Sequence, residues 1–291
     1  MTNEQFMSFG EPSLAQWVDQ GTDKPATIGG LSATEHERQV GQSWSAPDGA
    51  ISVELPSGFR FYDFKEIYVS PFKGKHLGKI TAAAKAKSAR ILAEAVSSTL
   101  FIPGRTKESG IAFELTLPDY FWLLYFHRKT WYTNTSYNVT TRCHDTLHIQ
   151  KVMSGELKPE TLVLRSRVDT ATLRETKLEN VPPLPQCLAD LEFSPPTVSD
   201  LIMTLEDENF GKPEHEFAFE MAPWLGRSKT WADRLAMVDD LTIEQIEAVR
   251  ALEKPLSDYG VEEVATIKCK ECGASNETIL SIDASAFLPS S

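Results

Sequence analysis

The sequence predicts an α+β fold in which short, mixed β-sheet elements pack with helices. Three observations point to it: alternating apolar residues at 51–55, helical spacing of apolar residues at 77–95, and a capped helical pattern at 242–257. The chain has 291 residues, of which 41% are hydrophobic, so it can bury a sizeable core. Four cysteines are too few for a disulfide scaffold, which favours a reducing compartment.

Residues 1–50 are predicted to form an extended N-terminal arm. Polar and acidic residues dominate this segment, and no period of 2 or 3.6 persists in it. Large aromatic residues, among them Phe6, Trp17 and Trp44, nevertheless lie in it. Segments of this kind often order on a partner, so these residues are candidates for partner binding. The alternative is that they pack on the core of their own chain.

Residues 51–180 are predicted to form an α+β domain. The patterns predict strands at 51–55, 59–62, 66–69, 111–117 and 137–141, and a hairpin over 161–178. One helix is predicted over 77–95, with its lysines mostly on the outer face. Another is predicted over 120–128, with Asp119 as its cap and with apolar residues nearly all round, so it should be buried.

Residues 181–291 are predicted to form a helical region that ends in a Cys-x-x-Cys hairpin. The proline-rich stretch 181–185 is the predicted domain boundary. Two helices follow, over 197–208 and 242–257. Thr242 and Gln245 match a capping box, and Ile243 belongs to the predicted inner stripe of the second helix.

Charge is distributed unevenly along the chain, whose net charge is -12. Residues 51–189 hold 19 basic and 13 acidic residues (+6), whereas residues 190–263 hold 6 and 18 (-12). An acidic chain with few clustered bases argues against a nucleic-acid-binding protein. The longest apolar run, 120–126, is far shorter than the roughly 20 residues that a bilayer requires, so no membrane partner is expected.

One group of residues predicts metal binding. Cys269 and Cys272 follow a predicted strand and precede Gly273, and two thiolates at this spacing can hold one side of a tetrahedral zinc site. Cys143 and His148, after the strand at 137–141, would complete a Cys3His site. His144 is the alternative fourth ligand, although adjacent side chains diverge on an extended backbone. The site would join two distant parts of the chain and stabilise the fold.

The cysteines could instead have a redox role or no ligand at all. Cys-x-x-Cys is also a redox motif, but the thioredoxin type places a helix directly after it, and here another strand is predicted at 278–282. The thiols could also be reduced and uncoordinated. Cys187 stands alone as an ordinary thiol. The sequence has none of the common hydrolase, P-loop, dinucleotide-binding or zinc-protease motifs, so no catalytic residue is predicted.

Several motifs, taken in their order, resemble the baseplate hub and hub-assembly family of contractile-tailed, T-even-type bacteriophages. The matching pieces, spread over residues 51–291, are Leu55-Pro56-Ser57-Gly58, Asp119–Arg128 leading into Tyr137-Asn138-Val139 and Cys143, the acidic helical region, Asp258-Tyr259-Gly260, Cys269-x-x-Cys272-Gly273, and Ile282-Asp283 with Phe287. Relatives tend to have a second Cys-x-x-Cys at Cys143. This chain has Asp145 and Thr146 there, and its 50-residue arm is an addition.

The resemblance implies a non-enzymatic protein of the tail baseplate. Such a protein is retained in the virion or acts as an assembly factor in the host cytoplasm. Its partners would be other hub or wedge proteins and the tail tube or tape-measure region, in a symmetric hetero-oligomer. Two alternatives stay open: a zinc-ribbon adaptor that binds nucleic acid, and a metal-dependent enzyme. Lys268 and Lys270 favour the adaptor, and Glu271, Glu277 and Asp283 oppose it.

Overall fold

The computed structural model describes residues 45–105, 110–262, 264–279, 282 and 284–288. Helices and small antiparallel sheets alternate along it, which confirms the predicted α+β class. The predicted partner-binding residues Phe6, Trp17 and Trp44 lie outside the described residues.

The first sheet has three antiparallel strands in the order β1-β2-β3. Its strands are β1 (Ile51–Val53), β2 (Ile67–Val69) and β3 (Leu100–Phe101). The predicted strand at 59–62 is wrong: these residues form turns, and Gly58 and Phe59 both have positive φ angles, which no strand accommodates.

The segment at 77–95 contains two helices, α1 (Gly74–Ala86) and α2 (Ala89–Ser97), rather than one. Lys87 adopts a left-handed conformation that ends α1, and the Ser88 side chain accepts a hydrogen bond from the Ile91 N–H to cap α2. Both helices contribute to the main core with buried Ile80, Leu92 and Val96.

The predicted strand at 111–117 is wrong, because this segment forms the short helix α3 (Ile111–Glu114). Its buried residues include both Ile111 and Ala112, and neighbouring residues of a strand would face opposite ways. The following helix, α4 (Leu117–Trp131), begins earlier than predicted, with Pro118 in its first turn. Asp119 therefore lies inside the helix instead of capping it. Its carboxylate accepts hydrogen bonds from the Ser57 N–H (3.0 Å) and the Tyr62 hydroxyl (2.6 Å).

A long antiparallel ribbon follows, made of β4 (Ser136–Arg142) and β5 (Val163–Asp169). The predicted strand at 137–141 is confirmed, but the predicted hairpin within 161–178 is wrong because β5 pairs with β4 instead. Between the two strands lie helix α5 (Thr146–Met153) and the 3-10 turn Pro159–Leu162. Strand β6 (Glu175–Thr176) then pairs with β7 (Gly260–Val261).

Beyond residue 197 the described residues form four α-helices, where the sequence predicted two. They are α6 (Val198–Glu206), α7 (Glu216–Met221), α8 (Trp231–Asp239) and α9 (Ile243–Ser257). The capping box of Thr242 and Gln245 is present on α9, but Ile243 is 76% exposed and does not belong to the inner stripe. A second core forms here around Met221, Trp224 and Val249.

The last sheet is the hairpin of β8 (Val264–Lys268) and β9 (Ser275–Ile279), with the Cys269-x-x-Cys272 turn between its strands. A final 3-10 turn, Ala284–Phe287, inserts the fully buried Phe287 into the main core. That core draws residues from both sides of 181–185, and the domain boundary predicted there stays a prediction. In the described part of the chain, no helix combines the length and the apolar character needed to cross a bilayer.

Candidate metal centre

The four predicted ligands converge at one point between the ribbon and the last hairpin. The donor atoms of Cys143, His148, Cys269 and Cys272 all lie within 4.8 Å of one another. The Sγ atoms of Cys143 and Cys272 are 3.6 Å apart, and Cys269 Sγ lies 3.4 Å from His148 Nδ1. Cys272 is exposed and the other three are buried. This cluster could hold a metal ion.

Strand β4 and helix α5 position the first two ligands. Cys143 follows the last residue of β4, and its N–H donates a hydrogen bond to the Leu162 carbonyl (2.8 Å). Asp145 caps α5 by accepting a hydrogen bond from the His148 N–H (2.8 Å). His148 therefore lies in the first turn of the helix, with only 2% of its surface exposed.

A threonine fixes which nitrogen of His148 is free to bind a metal. Thr161 Oγ1 lies 3.0 Å from His148 Nε2 and donates its own proton to the Lys158 carbonyl (2.6 Å). The hydroxyl therefore accepts a hydrogen bond from Nε2–H, and this bond stabilises the tautomer in which Nδ1 carries no proton. Nδ1 is the atom that faces Cys269, so the ring is oriented for metal binding.

The turn between β8 and β9 positions the other two ligands. The Cys269 N–H donates to the Ala274 carbonyl (2.8 Å), and the Gly273 N–H donates to the Cys269 carbonyl (2.9 Å). Gly273 has a φ of 74°, a conformation that glycine adopts without strain. Buried Asn276 joins this turn to the other half of the site, because its Oδ1 accepts a hydrogen bond from the His144 N–H (2.8 Å).

The sulfur atoms influence one another's ionisation. Burial opposes ionisation of Cys269, but the N–H groups of Cys272 and Glu271 and the neighbouring thiols favour it and lower its pKa to about 7. The Ala274 N–H favours the thiolate of Cys272, but burial and the other two sulfurs outweigh it and raise the pKa of Cys272 to about 11. Of these two sulfurs, Cys269 ionises the more readily, and a bound cation would favour the thiolate form of both.

The sequence left two imidazoles open as the fourth ligand, and the cluster contains His148. His144 is exposed, and its backbone, not its ring, contacts the site. Cys187 packs against the second core and is not part of the cluster. Thr161 and Asn276 were not predicted. Their roles depend on contacts across 13 and 132 residues, which no local pattern in the sequence indicates.

Comparisons with known protein families, curated proteins and solved structures found no match to this chain.

Proposed function

We propose that the protein binds one structural zinc ion through Cys143, His148, Cys269 and Cys272. Zinc in proteins lies about 2.3 Å from sulfur and about 2.0–2.1 Å from histidine nitrogen, in tetrahedral geometry. That geometry places two sulfur ligands about 3.8 Å apart and a sulfur and a nitrogen about 3.6 Å apart. The corresponding separations here are 3.6 Å and 3.4 Å. A soft set of three thiolates and one imidazole favours zinc over calcium, magnesium or manganese.

The site is suited to stabilising the fold rather than to catalysis. Four protein ligands complete a tetrahedron, whereas a catalytic zinc keeps one position for water or substrate. Among the residues whose burial is described, the apolar cluster around the site contains five buried ones: Val139, Cys143, Leu164, Ile267 and Cys269. A core this small benefits from a metal, which would hold the β4–β5 ribbon against the β8–β9 hairpin.

Elemental analysis of the purified full-length chain tests this proposal. We expect one equivalent of zinc, which Cys272→Ser abolishes while lowering the thermal unfolding midpoint. Cys187→Ser is the matched control and retains the metal. Cobalt(II) substitution should give a spectrum that does not respond to added azide, because a closed site has no free position. A pure, folded chain without a transition metal would contradict the proposal.

We also propose that the chain is a non-enzymatic structural or assembly protein of a contractile-tail phage baseplate. The support is the order of motifs from Leu55 to Phe287 that resembles the hub family. The opposite charges of residues 51–189 and 190–263 suit a protein that assembles with neighbouring subunits such as hub, wedge or tail-tube proteins. Quantitative mass spectrometry of purified particles and assembly intermediates from the source provides the test. A fixed copy number of this chain in the particles or in the assembly intermediates supports this role. Its absence from both the particles and the intermediates contradicts the role.

A further inference from the structure

A cavity of about 470 Å³ opens beside the metal centre. One wall comes from the Pro159–Leu162 turn and β5, and the other from β8 and the cysteine turn. Thr161, whose hydroxyl orients His148, is part of the first wall. The two walls belong to the two parts of the chain that the candidate metal ligands join, so a bound metal would hold these walls together.

The charged side chains along this cavity are mainly basic. Exposed Arg165, Lys268 and Lys270 line it, and none of them forms an ion pair with another described residue. A second cavity on the outer face of the ribbon shares Arg165 and adds Arg167, together with Asn138 and Thr140. We call the two cavities together the ribbon groove. Its four cations outnumber the two carboxylates that line it, Glu160 and Glu271.

The chemistry of the ribbon groove favours a polypeptide over a nucleic acid. Val163, which is 39% exposed, provides apolar surface beside the cations, whereas Leu164 and Ile267 are buried in the apolar cluster around the candidate metal site. Within the described residues, β5 pairs only with β4, so its other edge has backbone groups available to an added strand. No aromatic side chain is among the described residues that line the groove, so bases would find no stacking surface.

We propose that the ribbon groove binds an extended, carboxylate-rich segment of a partner protein. Carboxylates of the segment would pair with Arg165, Arg167, Lys268 and Lys270, and its backbone would lie along the free edge of β5. This inference rests on the proposed structural metal site, because the metal would hold the two walls together.

Fluorescence anisotropy with a labelled twelve-residue peptide of alternating glutamate and valine tests the inference on the full-length, metal-loaded protein. We expect binding that weakens with added salt. Arg165→Glu combined with Lys268→Glu should weaken it about tenfold, because two attractive contacts become repulsive. Lys75→Glu combined with Lys85→Glu makes the same charge change on α1, outside the groove, and should leave binding unchanged. Hydrogen exchange over residues 163–169 should slow when the peptide binds.

The outcomes separate this inference from the zinc proposal, since zinc content is measured on the same samples and neither Arg165 nor Lys268 is a ligand. Failure of the zinc-loaded protein to bind the peptide would overturn the inference and leave the zinc site in place. The inference would also be overturned if the α1 variant weakened peptide binding as much as the groove variant does. The same holds if single-stranded DNA bound more tightly than the peptide and the groove variant abolished that binding. Peptide binding by a protein without zinc would contradict the zinc proposal and would show that the two walls hold together without the metal.

Discussion

Replacement of Thr161 by valine removes the hydroxyl group that fixes the ring of His148. Valine has nearly the same shape, so the main loss is the acceptor for Nε2–H at 3.0 Å. His148 is 2% exposed, so the only replacement partner would be a water molecule in the cavity that Thr161 lines. Leaving a buried donor unpaired costs about 1–3 kcal/mol. Loss of an outer-shell partner of this kind typically lowers metal affinity 10–100-fold, which equals about 1.4–2.7 kcal/mol.

Competition between the protein and a chromophoric chelator for zinc at pH 7 measures this effect. We expect Thr161→Val to bind zinc 10–100-fold more weakly and Thr161→Ser, which keeps the hydroxyl, to stay close to wild type. Thr140→Val makes the same change on the exposed face of β4 and should have no effect. If folded Thr161→Val binds zinc as tightly as the wild type, the hydrogen bond from His148 Nε2–H to Thr161 does not keep Nδ1 available for the metal.

Three further predictions concern the rest of the fold. Burial lowers the pKa of His127 to about 3, with a smaller contribution from His76, so the unfolded chain binds one more proton below pH 6.5. The free energy of unfolding should therefore fall by up to about 1.4 kcal/mol for each pH unit below 6.5. Urea unfolding at several pH values should show a smaller fall in His127→Gln than in the wild type. Arg234→Met leaves Asp200 buried without the guanidinium that pairs with it at 2.7 Å, so it should lower the free energy of unfolding in urea by about 3–5 kcal/mol. Arg250→Met removes one partner of an exposed ion pair and should lower the same quantity by under about 1 kcal/mol. Gly260→Ala should lower the unfolding midpoint, because a Cβ atom there would lie 2.9 Å from the Pro118 carbonyl oxygen and φ is 100°.

Different results would contradict each of these predictions. If the free energy of unfolding of His127→Gln depends on pH as that of the wild type does, the His127 ring is not the group that takes up a proton on unfolding. Equal costs for Arg234→Met and Arg250→Met would mean that burial of the first ion pair has no special effect. Full stability of Gly260→Ala would mean that β7 can move away from α4.

Local patterns predicted the elements whose periodicity or caps were distinctive. The capping box at Thr242, the alternation at 51–53 and the Cys-x-x-Cys turn between two strands are all present. The segment at 111–117 was predicted as a strand because its residues alternate, but a pattern this short is also compatible with a helix. The helix covers only residues 111–114, and the end of the segment is extended: Thr116 forms an isolated antiparallel bridge with Thr197, in which the Val198 N–H bonds to the Leu115 carbonyl (3.0 Å). Contacts at that sequence separation are not visible in a local pattern.

The four residues of the candidate metal centre could be predicted from the sequence because thiol and imidazole groups are rare and chemically distinctive. The choice between His144 and His148 could not, because it depends on where α5 begins. Asp145 caps that helix and thereby turns the side chain of His148 toward the cysteines. Thr161 was beyond prediction for a related reason: a threonine hydroxyl has many possible roles, and only the return of the chain into β5 brings it to the ring.

The insertion of Phe287 has a consequence for biosynthesis. Its ring packs against those of Phe72 and Tyr132, and the Tyr132 hydroxyl bonds to its carbonyl (3.0 Å). The partners of Phe287 are thus translated more than 150 residues earlier. A nascent chain that has not yet reached this residue lacks the ring that packs against Phe72 and Tyr132, so the main core cannot be completed until residue 287 has been translated.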